Sequence, residues 1–199
     1  MRLLLGTHNL GKQAELRALL ANPNWEIVTP HDLGLEFEVE EVGATYAENA
    51  RLKAVSFAAQ AGLWSLSDDS GLEVAVLNGA PGLRSARLGG EGKADSDRRR
   101  MLLEMLKVHP RPWEARFRAT VALAGPAGEI ELAEGQCAGE IIPDERGKGG
   151  FGYDPIFLVL GTGRTMAELE MNEKNHISHR ARAVEALRPA LELRLSDQL

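Results

Sequence analysis

From Ala115 the chain alternates without a break. Ala115, Phe117, Ala119, Val121 and Leu123 fall on one side, and Arg116, Arg118, Thr120 and Ala122 on the other. Extended backbone sends successive side chains to opposite faces, so this run predicts a half-exposed strand. Residues 125–128 turn it, and residues 129–141 read as its partner in a long hairpin. A hairpin of this length commits the chain to a sheet. The N-terminal quarter adds helices to it. Residues 2–5 are a short apolar run closed by Gly6, which reads as a buried strand. Residues 7–11 form a polar turn. Residues 12–20 then carry Ala14, Leu16, Leu19 and Leu20 at helical spacing, stopped by Asn22 and Pro23. Residues 25–28 supply the next strand. Strand–helix units beside hairpin material predict an α/β fold, a mixed sheet flanked by helices. Strand order is not encoded in this pattern.

The middle of the chain carries clear stop and start signals. Thr45 followed by Glu48 has capping-box spacing, and Ala50, Ala54, Phe57, Ala58 and Ala61 make an apolar stripe ended by Gly62. Lys53 falls on this helix. Residues 63–66 read as a short strand leading into Asp68 and Asp69, with Ser70 and Gly71 permitting a sharp turn. Residues 72–77 read as a strand or the start of a hairpin. Residues 95–106 form a helix with Met101, Leu102, Met105 and Leu106 buried. Arg98, Arg99 and Arg100 offer either an anion site or, favoured by Glu91, Asp95, Asp97 and Glu104 beside them, a solvated face. A closing helix covers residues 178–187, and Pro189 bends or ends it.

Composition excludes some functions. The 199 residues suit one compact domain, or one domain with two lobes. Apolar content of 44% and charged content of 26% argue against a disordered or membrane protein. A net charge of −6 argues against broad binding to duplex nucleic acid, yet leaves room for a small phosphorylated ligand in a locally basic site. Cys137 is alone, so it forms no intrachain disulfide, and it reads as a small apolar side chain. The N-terminal apolar run is too short for a secretion signal, and no stretch approaches a membrane span. A cytoplasmic enzyme is the expectation.

The chemistry lies in how charge is partitioned. Asp32, Glu36, Glu38, Glu40, Glu41 and Glu48 follow one another with no basic residue between, and Asp68 and Asp69 form a second acidic pair. Cations sit in other short runs: Lys12 after Thr7, His8, Asn9, Leu10 and Gly11; Lys148 among glycines; Lys174, His179 and Arg180 near the end. Carboxylates hold magnesium, while cations and glycine-rich backbone hold phosphates. A chain with both is a candidate for cutting a phosphoanhydride. Thr7, Asn9 and Lys12 stand between a strand end and a helix N-terminus, where exposed N–H groups bind anions. Adjacent Asp68 and Asp69 cannot point the same way on extended backbone. In residues 147–157 four glycines surround Lys148, and Phe151 and Tyr153 follow at alternate positions, with Gly152 between them and Asp154 after. Either aromatic could stack on a base or belong to the core. His176 and His179 lack a third zinc ligand nearby.

Six segments in series then resemble one family. They are THNLGKQAEL, EVGATYAENARLKA, SDDSGLEV, GAPGLRSARLGG, GGFGYDPIF and EKNHISHR. Together they are similar to the inosine/xanthosine triphosphate pyrophosphatases, enzymes that destroy non-standard purine nucleotides. The resemblance implies one domain over residues 1–199, an elongated mixed sheet flanked by helices, and two lobes around a central active-site cleft. It also implies a homodimer and magnesium-dependent hydrolysis of dITP, ITP and XTP to monophosphate and pyrophosphate. By resemblance, Thr7 to Lys12 form the triphosphate turn, with Lys53 as a further phosphate contact. Glu41 and Asp69 are the metal-side carboxylates, Asp69 the proton acceptor and Ser70 a substrate contact. Phe151 to Asp154, Lys174, His179 and Arg180 are the nucleoside set. His8 departs from the pattern, since many relatives carry glycine there. The partner is thus a nucleoside triphosphate, with no nucleic acid or membrane. Arg180 or His179 would read the oxygen at purine position six. Two other readings stay open: a related enzyme acting on standard or modified pyrimidine nucleotides, and a nucleotide sensor without turnover.

Overall fold

The computed structural model describes residues 1–196. Seven strands form one mixed sheet: β1 (Arg2–Leu5), β2 (Glu26–Val28), β3 (Trp64–Val74), β4 (Pro81–Gly82), β5 (Trp113–Ala124), β6 (Ile130–Ile141) and β7 (Phe157–Val159). The order is β2-β1-β3-β5-β6-β7, with β4 beside β3. β1 pairs in parallel with both β2 and β3, whereas β4 on β3 and β7 on β6 are antiparallel. The helices are α1 (Leu10–Leu19), α2 (Tyr46–Ala61), α3 (Asp95–Leu106), α4 (Met171–Ile177) and α5 (His179–Ser196). The mixed α/β architecture expected from the sequence is thus present.

The chain divides into two compact units. Among the described residues the first comprises 1–69, 119–135 and 179–196; the second comprises 70–118 and 136–178. β3, β5 and β6 each contribute residues to both.

In the first unit Leu3 and Leu5 of β1, Leu16 and Leu20 from the α1 region, Trp64 and Leu66 of β3 and Leu187 and Leu191 of α5 share one core. Each fully buried leucine stabilises the fold by about 1.5–3 kcal/mol. In a smaller cluster Ala50, Ala54 and Ala58 of α2 meet Ala122 and Ala124 of β5, with half-buried Ile130 packed against them. Small side chains let a helix axis approach its neighbour closely. The α2 ends are as expected: Thr45 and Glu48 form a reciprocal capping box, and Gly62 takes the left-handed conformation at φ 64°. In the second unit Leu72, Leu102, Leu106, Trp113, Phe117, Cys137, Ile141 and Phe157 belong to a separate core. Buried Cys137 fits its reading as a small apolar side chain.

Several sequence expectations need correction. α1 begins at Leu10 rather than residue 12, because the Asn9 side chain accepts the Lys12 N–H and caps it there. Ala14 is exposed, and Glu15 is buried beside Leu16. The SDDSG run is no turn: β3 continues through it for 11 residues. Met101 and Met105 of α3 are exposed, leaving Leu102 and Leu106 as its buried face. β5 is half-exposed only to Arg118; from Ala119 to Ala124 both faces are buried. α5 continues past Pro189.

Candidate functional site

Two clusters hold the sequence-selected residues, one in each unit. In the first unit the turn after β1 is held by its own polar groups. Thr7 Oγ1 accepts the Asn9 N–H at 3.2 Å, and Gln13 Nε2 donates to the Thr7 carbonyl at 2.7 Å. Gly6 is required, because a Cβ there would collide with Ser67 and reach Phe57 at 2.8 Å. The turn ends at the α1 N-terminus, where helix N–H groups and the positive dipole end favour an anion. Leu10 is 79% exposed, so its side chain adds no packing to the turn.

β3 brings both aspartates to this turn. On extended backbone they point to opposite faces, and their partners differ accordingly. Asp68 Oδ2 accepts from Arg180 Nε at 3.1 Å and Nη2 at 2.9 Å. Lys12 Nζ lies 3.2 Å from Asp68 Oδ1 and donates to the Asp68 carbonyl at 3.3 Å. Arg180 Nη1 also pairs with Glu15. Asp68, Glu15 and Arg180 are all buried. Burial opposes charge on Asp68, but Arg180, Lys12 and Lys53 outweigh it and hold the carboxyl well below the usual range. Burial likewise disfavours charge on Arg180, yet Asp68 and Glu15 raise its pKa above the ordinary value. On Lys12 burial wins over Asp68, aided by repulsion from Lys53 and Arg180, and its pKa is lowered.

Asp69 has different neighbours. Lys53 Nζ donates to Asp69 Oδ1 at 3.2 Å and to Glu41 Oε1 at 2.5 Å. Asn49 Nδ2 donates to Asp69 Oδ2 at 3.2 Å, while Asn49 Oδ1 accepts the Gly43 N–H at 2.7 Å. Asn49 and Lys53 are four apart on α2, hence on one face. Burial raises the Asp69 pKa, Glu41 adds to that, and Lys53 and Lys12 only partly oppose it. Burial opposes charge on Lys53, but Asp69, Asp68 and Glu41 outweigh it and raise its pKa. A carboxylate shifted upward is a better base at neutral pH than an ordinary aspartate.

The second cluster lies in the second unit. Lys174 Nζ donates to Asp154 Oδ2 at 2.6 Å, and the same oxygen accepts the Phe151 N–H at 3.0 Å. The ammonium stands 5.6 Å from the Phe151 ring centroid, in cation–π range. Gly150 adopts φ 68°, and a Cβ there would strike the Asp154 carboxylate. Gly152 donates its N–H to Asp95 and accepts from Arg99 Nη1, each at 2.8 Å. Tyr153 is buried and donates its hydroxyl to the Ser85 carbonyl at 2.9 Å, so it packs as core. Ser70, next to Asp69 in β3, is half-buried.

Sequence reasoning missed four residues. Glu15 hides as one acid in an amphipathic helix. Asn49 carried one signal, its spacing to Lys53. Asp95 and Arg99 were read as part of a solvated face, but Arg99 also grips Glu145 at 2.7 and 2.8 Å. Arg180, expected to offer donors to a purine, directs three nitrogens at Asp68 and Glu15. His179 is buried at the start of α5. Lys148 is exposed.

Among the described residues no three His, Cys, Asp or Glu side chains converge as a metal cage. Magnesium commonly binds through one or two carboxylates plus substrate phosphates, keeping its remaining waters. Glu41 and Asp69, which face one ammonium, suit that mode.

The Ham1 family model matches residues 3–190. This chain belongs to the Ham1 family. It is 46% identical over 194 residues to the dITP/XTP pyrophosphatase of Desulforamulus reducens, covering 97% of this chain and 95% of that one. It is 48% identical to the enzyme of the same name from Gloeobacter violaceus, over 93% of this chain and 91% of that one. Among solved structures, the Coxiella burnetii HAM1 protein superposes with a TM-score of 0.86 at 39% identity, covering 96% and 98% of the two chains. The Staphylococcus aureus Ham1 protein gives 0.85 at 36% identity, covering 98% and 100%.

Proposed function

We propose that this Ham1-family chain hydrolyses the non-standard purine nucleoside triphosphates dITP, ITP and XTP to the monophosphate and pyrophosphate. One observation carries the reading. Buried Asp69 takes Lys53 at 3.2 Å, on the strand whose Asp68 takes Lys12 from the first turn of α1 at 3.2 Å. A site built only to bind anions gains nothing from that carboxylate. The relatives named dITP/XTP pyrophosphatases support the substrate class.

In the proposed reaction water attacks the α-phosphorus, and the bond to the bridging oxygen breaks as pyrophosphate leaves. Asp69 takes the proton from the attacking water, with Asn49 fixing its second oxygen. Lys12, Lys53 and the N–H groups at the start of α1 stabilise charge as it moves onto pyrophosphate. Glu41 and Asp69 would hold magnesium, which when bound screens the carboxylates from the phosphates. Asp68, Arg180 and Glu15 position Lys12 from behind. Phe151 offers a ring to the base, with Lys174 held beside it by Asp154, and Ser70 and His179 complete the proposed contacts. The same reading takes residues 1–199 as one functional domain and the assembly as a cytoplasmic homodimer.

The test is a panel of triphosphates at equal concentration with magnesium, assayed for both phosphate products. One equivalent of pyrophosphate per ITP, XTP or dITP is expected. Orthophosphate as the first product would exclude the reaction, and preference for pyrimidine nucleotides would replace the substrate class. Light scattering tests the dimer: a monomer mass at every concentration counts against it.

A further inference from the structure

The segment after Gly34 carries Glu41 but little regular structure. Residues 35–43 belong to no helix or strand. Leu35, Phe37 and Val39 are half-buried against Leu4, Val28 and Phe57, while Glu36, Glu38 and Glu40 are exposed. An open pocket of about 540 Å³ lies among His8, His31, Leu35, Glu36 and Glu38, so packing holds this stretch from one side only.

His8 crosses to the segment from the turn. Its Nε2 lies 3.0 Å from the Phe37 carbonyl. A carbonyl can only accept, so Nε2 carries the proton. The His8 ring stands 5.8 Å from that of Phe57, which is 4.7 Å from that of Phe37. Phe57 follows Lys53 by one helical turn, and Lys53 holds Glu41. The contacts close a loop: the turn to Phe37, along the segment to Glu41, across to Lys53, and down α2 to Phe57.

We infer that His8, given the phosphate and metal-side roles proposed above, is a positioning residue. It ties the segment bearing Glu41 to the phosphate turn, so that the carboxylate is already placed when the triphosphate arrives. The turn itself is held by Thr7, Asn9 and Gln13, so loss of the imidazole loosens the segment and leaves the turn in place. Glutamine at position 8 keeps an N–H donor of similar reach; alanine does not.

Hydrogen–deuterium exchange on the full, nucleotide-free chain tests this. His8→Ala is expected to speed exchange of amides 36–42 about two- to tenfold, the scale of one hydrogen bond, with exchange in α1 unchanged. His8→Gln restores the wild-type rate. In turnover, His8→Ala raises the half-saturating magnesium concentration by a similar factor and shifts the KM for ITP less. Equal exchange in wild type and His8→Ala overturns the tether, as does acceleration that spreads into α1. If the wild-type chain turns over no triphosphate, the functional reading fails, and the exchange result still decides whether His8 ties the segment.

Discussion

Asp68 and Asp69 are neighbours in sequence with opposite consequences. Asp68→Asn removes a fully buried charge that faces Arg180 and Lys12. Breaking a buried ion pair by deleting one partner costs about 3–5 kcal/mol, because the other charge is left uncompensated. Arg180 keeps Glu15, so the lower end, about 3 kcal/mol, is expected. For a chain of this size that lowers Tm by roughly 6–12 °C. Asp69→Asn leaves Lys53 its 2.5 Å contact with Glu41 and lets the amide oxygen accept from Asn49, so only about 1 kcal/mol is lost. Turnover, however, should fall about 10²–10⁴-fold. Scanning calorimetry and pyrophosphate release on both variants make the comparison. A further check follows from the depressed pKa of Asp68. Its contribution is complete above the unfolded aspartate value, about 3.9, and is lost as pH falls below it toward the folded value. The stability gap between wild type and Asp68→Asn should therefore close in that acid window. An Asp69→Asn variant that melts as early as Asp68→Asn yet keeps its turnover would refute the division of roles.

Three more outcomes are expected. In the magnesium-free protein the Asp69 carboxyl should titrate above the ordinary aspartate range, because burial raises it, as followed by carboxyl NMR. Glu41→Gln removes a repelling charge and should move that titration to lower pH; movement upward contradicts the pairing. Gly150→Ala drives a Cβ into Asp154 at φ 68°, and should weaken nucleotide binding and cost about 1–3 kcal/mol; unchanged KM and Tm would show that the Asp154–Lys174 pair tolerates displacement. Chelator should abolish turnover without lowering the Tm of the nucleotide-free protein, since two carboxylates on one lysine make no resident cage; a clear drop in Tm would indicate a structural metal.

Local signals in the sequence located much of the fold. The β5–β6 hairpin, the start of α2 at its capping box and its stop at Gly62 all follow from period, capping and φ preference, which act over a few residues. The same local logic marks Lys12 and the Asp68–Asp69 pair as chemically notable; Lys53 and the choice of Asp69 come from the family resemblance. Local logic fails where a partner comes from far along the chain. Serine and glycine read the two aspartates into a turn, but β3 runs on as one strand, paired with β1 over residues 64–66 before them and with β4 at residues 72 and 73 after them, with β5 as a further neighbour. Pro189 reads as a bend or an end, and α5 does not end there: it continues with Leu187 and Leu191 both in the core of the first unit. Arg180 reads as a donor to the purine. Only the fold brings it against Asp68, 112 residues away, and against Glu15, 165 residues away. Charge type and spacing are local properties. Which charges are buried together, and so which aspartate is locked as an anion and which is raised toward a base, depends on desolvation and distance, and tertiary packing alone sets both.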